Sequence, residues 1–302
     1  MILIADSGST KTDWTLLHSA NPLLSNNIVA TFHTQGITPI HQSSADIRRI
    51  LEQELLHQFS TFPRAALLQM GGLATPLFEN LNVFFYGSGC TPAHVPMMER
   101  LLSEVLAAKS VEVHSDLMAA ARALCGHEEG IACILGTGAN SCLYDGQSVV
   151  QNTPALGYIL GDEGSGAVLG RLFVNAIFKN PQLASVGAQY LAETKQTMAD
   201  IIQKVYREPM ANRYLASTSL FISQHLDEPL LRQMVVDNFR QFFRLNIAPY
   251  KRADLPVHFV GSMAQYYREQ LEEAARQEGF TVGNTMQSPM EGLIAYHGQP
   301  SR

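Results

Sequence analysis

A strand, a turn of glycine and small hydroxyl residues, and a second strand occur twice in this chain. The first copy runs from the apolar residues 1–5 through a polar turn into 12–17. The second copy runs from 131–135 through a similar turn into 141–144. Each copy is typical of a β-hairpin. Because the unit recurs in pattern, though not in sequence, it predicts two related α/β domains.

Helix and strand patterns alternate around these hairpins. Short apolar runs followed by turn residues predict further strands at 65–70, 83–86, 110–114 and 257–260. Apolar positions at helical spacing predict helices at 44–59, 96–108, 117–124, 183–193, 198–206, 217–225 and 228–243, with a last one ending near 276. No low-complexity tract separates the two halves, so a tight hinge is expected rather than a tether.

Composition narrows the classes of protein. A chain of 302 residues that is 46% apolar can bury a full core and favours two domains. The net charge of -6, with lysine and arginine scattered, argues against nucleic acid and an anionic membrane as partners. No apolar run reaches the roughly 20 residues of a membrane span. The four cysteines show no metal spacing and the start lacks a signal-peptide pattern, so the cytoplasm is the expected compartment.

The first hairpin turn, in the stretch ADSGSTKTD, is a candidate phosphate loop. Glycine lets backbone N–H groups approach a phosphate, hydroxyls add donors, and an acid at a strand end can hold Mg²⁺ through water. The candidate residues are Asp6 for magnesium and Gly8, Ser9, Thr10 and Lys11 for ATP. An ordinary hairpin turn has a similar composition, and Lys11 can meet either phosphate or solvent. The P-loop and the dinucleotide-binding fingerprint are both absent.

The second hairpin turn, in the stretch LGTGANS, has the same character, with Gly136, Thr137 and Gly138 as its candidate phosphate ligands. Taken alone, such a turn is weak evidence. Two of them, one in each predicted domain, suit a nucleotide whose phosphates are clamped between facing domains. The sequence therefore predicts an active site in an interdomain cleft.

Asp116 follows the strand at 110–114 and stands where the next helix begins. A carboxylate at a strand end near both phosphate loops can accept the proton of an attacking hydroxyl, as phosphoryl transfer to an alcohol requires. The alternative is that Asp116 caps the helix, a position that Asp favours. The two roles are compatible.

The segment GYILGDEGSG, residues 157–166, is dense in glycine and carries two adjacent acids. Two acids in a tightly folded turn are costly unless they bind hydroxyls, a metal or neighbouring N–H groups. A solvated loop that enters a helix is the alternative. After the strand at 257–260, Gly261 offers a surface on which an adenine ring could lie.

Taken together and in this order, these segments resemble the N-acetylglucosamine kinase-like branch, also called the BadF/BadG/BcrA/BcrD ATPase family, of the actin/Hsp70/sugar-kinase superfamily. ILIADSGSTKTDW resembles the first phosphate motif, HSDLMAAARAL the catalytic segment, ILGTGANS the second phosphate motif and GYILGDEGSG the sugar and closure segment. The resemblance covers nearly the whole chain. It implies an ATP- and Mg²⁺-dependent kinase that phosphorylates the 6-hydroxyl of an amino sugar.

The same resemblance implies a fold and a role for each matching residue. The fold is α/β, with two ribonuclease-H-like (actin-like ATPase) domains at 1–115 and 116–288, and with a C-terminal helix from about 289 that packs back on the first. Thr10 and Thr137 contact the ATP phosphates and Asp116 is the base. The acceptor pocket is lined by Ala139, Asn140, Leu156, Gly157 and Asp162, and the adenosine is bordered by Ala216 and Gly261.

Two departures from the family pattern bear on the acceptor. Thr38 stands nearest the position where amino-sugar kinases place an Asn, and Leu156 replaces a pocket aromatic. N-acetylglucosamine and N-acetylmuramic acid therefore both remain as acceptors. The alternative function is an ATPase activator without a sugar acceptor, although Cys133 and Cys142 fit buried packing better than the iron–sulfur ligation of that branch. A homodimer is compatible with the sequence.

Overall fold

The computed structural model describes residues 1–18, 28–61 and 80–298, and these fall into two compact units. The first unit comprises residues 1–126 together with the C-terminal segment from 289, and the second comprises 127–288. The helix Asp116–Cys125 thus lies in the first unit, whereas the sequence placed the boundary before it. The reason is packing, because this helix contacts the helix Met290–Gly298 and strands of the first sheet. A Cβ atom on Gly292 would lie 2.3 Å from the carbonyl oxygen of Ala123.

The strands of the first unit form one mixed sheet. They are β1 (Ile2–Ser7), β2 (Lys11–Leu17), β3 (Ile28–Gln35), β4 (Asn82–Gly87) and β5 (Ser110–Ser115). Their order is β3-β2-β1-β4-β5, with β1 antiparallel to β2 and parallel to β4. The sequence did not predict β3, and the strand it predicted at 65–70 lies outside the described residues.

The second unit repeats this arrangement. Its strands are β6 (Gly130–Leu135), β7 (Ala139–Tyr144), β8 (Val149–Thr153), β9 (Val257–Val260) and β10 (Val282–Met286). Their order is β10-β9-β6-β7-β8, with β6 antiparallel to β7 and parallel to β9. When the strands of each unit are numbered one to five along the chain, both sheets have the order 3-2-1-4-5. The first sheet is read from β3 to β5 and the second from β8 to β10. The prediction of two ribonuclease-H-like domains in an α/β fold is confirmed.

Helices cover the sheets. In the first unit the helical segments are Ser44–Ile50, a π-helical turn at Leu51–Leu55, Leu56–Thr61, Val95–Leu106, Asp116–Cys125 and Met290–Gly298. In the second they are Gly157–Leu160, Gly166–Lys179, Ala184–Thr194, Met198–Tyr206, Ala211–Ser223, Pro229–Phe242, a π-helical turn at Phe243–Ile247, Ser262–Tyr266 and Arg268–Gln277, with 3-10 turns at Pro181–Leu183 and Ala248–Tyr250. Among the described residues, no helix is long and apolar enough to cross a bilayer.

Each unit has its own hydrophobic core. Trp14 and Phe85 are buried in the first, with ring centroids 5.8 Å apart. Phe242 and Phe259 are buried in the second, with ring centroids 6.2 Å apart. β6 is buried along almost its whole length, as expected of a strand covered on both faces. The cores fix the sheets and therefore the strand ends where the candidate site residues lie.

Candidate active site

The carboxyl ends of three parallel strands bring the first turn close to Asp116. Ser7 of β1 pairs with Gly87 of β4, and Gly87 pairs in turn with Ser115 of β5. The turn after Ser7 and the residue after Ser115 therefore lie at the same edge of the sheet. This edge is where open α/β sheets bind their ligands.

The first turn is held firmly yet leaves its tip exposed. The Gly8 N–H donates to the Lys11 carbonyl at 3.0 Å, so it is engaged within the hairpin. The Ser7 hydroxyl donates to the Ile37 carbonyl at 2.9 Å and accepts from the Ile37 N–H at 3.0 Å. Ser9, Thr10 and Lys11 form the exposed tip, and Lys11 Nζ lies 2.8 Å from Asp13. The atoms presented to a phosphate are therefore those of the tip.

Glycine is required where the segment after β3 crosses this turn. A Cβ atom on Gly36 would lie 2.4 Å from the Gly8 carbonyl oxygen, closer than real Cβ contacts come. The Gly36 N–H donates to the Thr10 carbonyl at 3.0 Å. Gly36 therefore allows the segment that carries Thr38 to lie against the candidate phosphate loop.

Asp6, the predicted magnesium residue, lies in a concentration of negative charge. Burial, followed by the carboxylates of Asp13 and Asp116, raises the pKa of Asp6 to about 7. A divalent cation at this edge would relieve that repulsion, so the residues fit Mg²⁺. Within the described ranges, no group of three or more His, Cys, Asp or Glu side chains could ligate a metal ion directly. An ion here would take most of its ligands from water and phosphate, as Mg²⁺ commonly does.

Asp116 is the first residue of its helix and does not cap it. The cap is Ser115, whose hydroxyl accepts from the Met118 N–H at 3.3 Å, so the alternative role of Asp116 as the cap is wrong. The Asp116 carboxylate instead accepts from the Leu117 N–H at 2.9 Å. Burial raises the pKa of Asp116, and hydrogen bonds from the Leu117 N–H and its own N–H oppose that shift. A buried carboxylate of raised pKa is suited to accept a proton.

Thr38 lies beside the loop that follows β4. A Cβ atom on Gly89 would lie 3.0 Å from Thr38 Cγ2. Thr38 is only 8% exposed, and among the described residues its hydroxyl has no hydrogen-bond partner. A buried polar atom normally has a partner, so this hydroxyl is a candidate contact for a ligand. The next residue of that loop, Cys90, is close enough to Asp116 for the two groups to interact electrostatically.

In the second unit, the turn after β6 rests on the start of the helix Gly166–Lys179. The Gly166 N–H donates to the Gly136 carbonyl at 2.8 Å, and the Ala167 N–H donates to the Thr137 carbonyl at 3.1 Å. The side chain of Ser165 caps the helix by accepting from the Val168 N–H at 3.2 Å. Thr137 is exposed at the tip. Because the N–H groups of Gly166, Ala167 and Val168 are engaged, the helix favours a phosphate at this turn through its dipole.

The two predicted adenosine residues lie near the same helix start. A Cβ atom on Gly166 would lie 3.2 Å from the Cβ of Ala216 and 3.3 Å from the sulfur of Met263. Gly261 has a φ of 123°, and a Cβ there would lie 2.3 Å from the Leu135 carbonyl oxygen. Gly261 therefore allows the end of β9 to lie directly against the end of β6.

Asp162 folds back onto the second turn and the acceptor segment. Its carboxylate faces the N–H groups of Ala139 and Gly157. Burial raises the pKa of Asp162 to about 6, the two N–H groups lower it, and the neighbouring Glu163 carboxylate raises it. A Cβ on Gly138 would lie 2.9 Å from Asp162 Oδ2. The structure thus brings Asp162 together with Gly138, Ala139 and Gly157.

The orientation of the Asn140 side chain follows from its partners. Its Oδ1 accepts from the Ser141 N–H at 2.9 Å and from Asn152 Nδ2 at 2.9 Å. A backbone N–H can only donate, so the atom facing it must be the amide oxygen. The amide nitrogen of Asn140 is therefore the end that can donate to a ligand.

Leu156 precedes a short, exposed apolar helix. It is 64% exposed with a φ of 65°, and Ile159 and Leu160 of the helix Gly157–Leu160 are 70% and 76% exposed. Both ends of this segment have a left-handed backbone, since Asp162 also has a positive φ, of 55°. Leu156 thus lies in the same strained segment as Gly157 and Asp162.

Sequence reasoning did not identify two buried asparagines that hold the acid-bearing turn. Asn238 Oδ1 accepts from the Gly164 N–H at 3.1 Å, and Asn246 Nδ2 donates to Glu163 Oε2 at 3.1 Å. Both contacts join residues more than 70 positions apart, and no local pattern marks them. Each asparagine is the polar residue on an otherwise apolar buried face, a signal that becomes visible only once burial is known.

No protein-family model and no curated protein sequence matches the chain. The chain is similar to the crystal structure of a putative N-acetylglucosamine kinase from Porphyromonas gingivalis, with 45% identity, 99% of each chain covered and a TM-score of 0.85. A second structure, a putative N-acetylglucosamine kinase from Chromobacterium violaceum, is 19% identical over 98% of each chain, with a TM-score of 0.70, and shares the fold.

Proposed function

Because this chain belongs to the N-acetylglucosamine kinase-like family of the actin/Hsp70/sugar-kinase superfamily, we propose that it is an ATP-dependent kinase that phosphorylates the 6-hydroxyl of an amino sugar. N-acetylglucosamine is the first candidate acceptor and N-acetylmuramic acid the second. The observation that carries the proposal is the position of Asp116, buried at the sheet edge that also presents the first turn.

In this mechanism Asp116 is the general base. The acceptor O6–H gives its proton to the Asp116 carboxylate as O6 bonds to the γ-phosphorus of ATP. The bond from that phosphorus to the β,γ-bridging oxygen breaks, and ADP leaves with the electron pair. The burial that raises the pKa of Asp116 favours the proton acceptance. Catalysis otherwise depends on positioning and on charge stabilisation.

The two turns would hold the nucleotide. Ser9, Thr10 and Lys11 are exposed at the first, and Thr137 is exposed at the second beside a helix amino terminus. We propose that each turn contacts ATP phosphates, and that Ala216 and Gly261 border the adenosine. A bound Mg²⁺ would neutralise charge on the transferring phosphoryl group, and Asp6 would hold it through water.

The acceptor specificity follows from the polar atoms near Asp162. The Asn140 amide nitrogen can donate to an acetamido carbonyl oxygen, and the carboxylate of Asp162 can accept from sugar hydroxyls. In the first unit, Thr38 offers a hydroxyl that has no hydrogen-bond partner among the described residues. A site built for an acetamido group rejects glucose, because its buried polar atoms are then left unpaired. Leu156 is smaller than an aromatic residue, and we propose that it admits a 3-lactyl substituent.

A panel of acceptors with Mg²⁺-ATP tests the proposal. The panel contains N-acetylglucosamine, N-acetylmuramic acid, N-acetylmannosamine, glucosamine and glucose, and the readout is kcat/KM for each. The proposal predicts the highest value for one of the first two sugars. A value for glucose equal to or above both would refute the amino-sugar specificity. ATP turnover that no sugar stimulates would refute the kinase and favour an ATPase activator.

A further inference from the structure

The turn that carries Asp162 and Glu163 is held in a strained conformation. Asp162 has a φ of 55°, in the left-handed region that costs a non-glycine residue energy. Such a conformation persists only where the surroundings enforce it. This conformation accompanies the contact between the Asp162 carboxylate and the N–H groups of Ala139 and Gly157.

Backbone hydrogen bonds from the Asp162 N–H to the Ala155 carbonyl and from the Ser165 N–H to the Asp162 carbonyl restrain this turn, and one continuous helical segment adds side-chain contacts. The helix Pro229–Phe242 passes directly into the π-helical turn Phe243–Ile247. From the helix, Asn238 accepts from the Gly164 N–H and donates to the Ser165 carbonyl at 3.3 Å. From the π-helical turn, Asn246 donates to the Glu163 carboxylate at 3.1 Å. The residue directly after Asp162 is therefore tethered through its side chain.

The π-helical turn explains how both asparagines face the same target. They are eight positions apart. In a regular α-helix, at about 100° per residue, the second would point roughly 80° away from the first. A π-helical turn accommodates about one additional residue. The directions of the two side chains around the helix axis then differ by only roughly 20°. Without the π-helical turn, Asn246 would be rotated away from Glu163.

The same π-helical turn is fixed on its other side to the strands behind Asn140. The Asn246 carbonyl accepts from the Thr153 hydroxyl at 2.9 Å. Beyond the turn, the Tyr250 hydroxyl lies 2.7 Å from Ser141 Oγ and accepts from the Thr153 N–H at 3.1 Å. The backbone of Asn246 is thus held against β7 and β8, and its side-chain amide extends from there to Glu163.

We propose that Asn246 is a positioning residue for the acceptor site, which acts by tethering Glu163 and so holding Asp162 against Ala139 and Gly157. Without the tether, Asp162 relaxes to a negative φ and its carboxylate leaves the two N–H groups. The acceptor then loses an aligned contact, whereas the bonds from Gly166 and Ala167 to the second turn remain. The role in acceptor binding rests on the proposed function; the role in holding the turn does not.

The test uses Asn246→Leu, which removes the amide and keeps the Asn246 backbone carbonyl. A hydrogen bond to a charged group is worth enough to predict about a tenfold rise in KM for N-acetylglucosamine. We expect kcat and the KM for ATP to stay within about twofold, because the second turn keeps its bonds. In the ligand-free protein, hydrogen exchange at the Ala139 and Gly157 amides should accelerate by a similar factor, with the Gly166 amide unchanged.

Two further variants separate positioning from general damage. Asn180→Ala is the matched control, because it loses the hydrogen bond that Asn180 Oδ1 accepts from the Gln182 N–H, in the same unit but away from the turn. It should leave the acceptor KM and the Ala139 and Gly157 amides unchanged. In a Glu163→Ala background, Asn246→Leu should have little further effect, because the tether is already lost.

The outcomes are distinct. Equal rises in the KM values for acceptor and ATP, full additivity with Glu163→Ala, or unchanged exchange at Ala139 and Gly157 would overturn the positioning role. If the wild-type protein phosphorylates none of the sugars, the proposed function fails. The exchange measurement then still decides whether Asn246 holds the turn.

Discussion

The two units share the order and directions of their strands, but they differ in what they place at the strand ends. The first unit gathers carboxylates, and its Asp6 and Asp116 both have raised pKa values. The second unit presents a helix amino terminus and amide groups around the turn at 136–138. The same strand order thus carries a proposed acid–base edge in the first copy. In the second copy it carries an edge of N–H and amide donors that also includes the carboxylates of Asp162 and Glu163.

The largest expected effect is in the first unit. Asp116→Asn should lower kcat by about 10²–10⁴, because the general base is lost. Its ATP affinity, measured by calorimetry, should stay within a few-fold, since Asp116 is not proposed to bind nucleotide. Phosphoryl transfer by Asp116→Asn at nearly the wild-type rate would show that Asp116 is not the general base. The proposed chemical difference between the two units would then fail.

The next effect concerns Asp6 and the stability of the protein. Because the folded protein holds the Asp6 proton up to a pKa of about 7, while the unfolded chain loses it near pH 4, stability falls as pH rises through that window. Asp6→Asn removes this ionisation. We expect its free energy of unfolding to exceed that of wild type by about 2–4 kcal/mol at pH 8, and to match it below pH 4.

Urea unfolding at several pH values, without nucleotide or magnesium, measures this difference. If the difference in the free energy of unfolding between Asp6→Asn and wild type stays constant from pH 4 to pH 8, the pKa of Asp6 is not raised in the folded protein. The acid–base character of the first edge would then rest on Asp116 alone.

The smallest effect compares the two turns directly. Thr10→Val and Thr137→Val each remove one hydroxyl from an exposed tip, and each should raise the KM for ATP by about three- to tenfold. If each turn contacts ATP phosphates, each single variant has an effect. Calorimetry that shows wild-type ATP affinity in both variants would contradict phosphate contacts by these two hydroxyls.

The sequence predicted the features whose signals are local. The turns at Gly8 and Gly136 and the strand end before Asp116 are marked by a few adjacent residues, and so is the repeated hairpin from which the fold was inferred. β3 was missed because one of its two buried positions is the polar Thr34, so burial alternates along the end of the strand while hydropathy does not. The Ser115 cap was missed because Ser and Asp are adjacent and both favour that position.

The support of the acid-bearing turn could not be predicted in this way. Asn238 and Asn246 act across more than 70 residues of chain. Their common direction depends on a π-helical turn that apolar spacing does not reveal. The left-handed conformation of Asp162 likewise depends on tertiary contacts, since neither its residue type nor its neighbours require it.

The most direct test of the central claim is product analysis for the wild-type protein and Asp116→Asn with Mg²⁺-ATP and N-acetylglucosamine. Phosphorus NMR would follow ADP and sugar phosphate together. The account predicts equal amounts of ADP and N-acetylglucosamine 6-phosphate from the wild type, and a rate for Asp116→Asn lower by about 10²–10⁴. ADP released without sugar phosphate, or phosphate on a different hydroxyl, would contradict it.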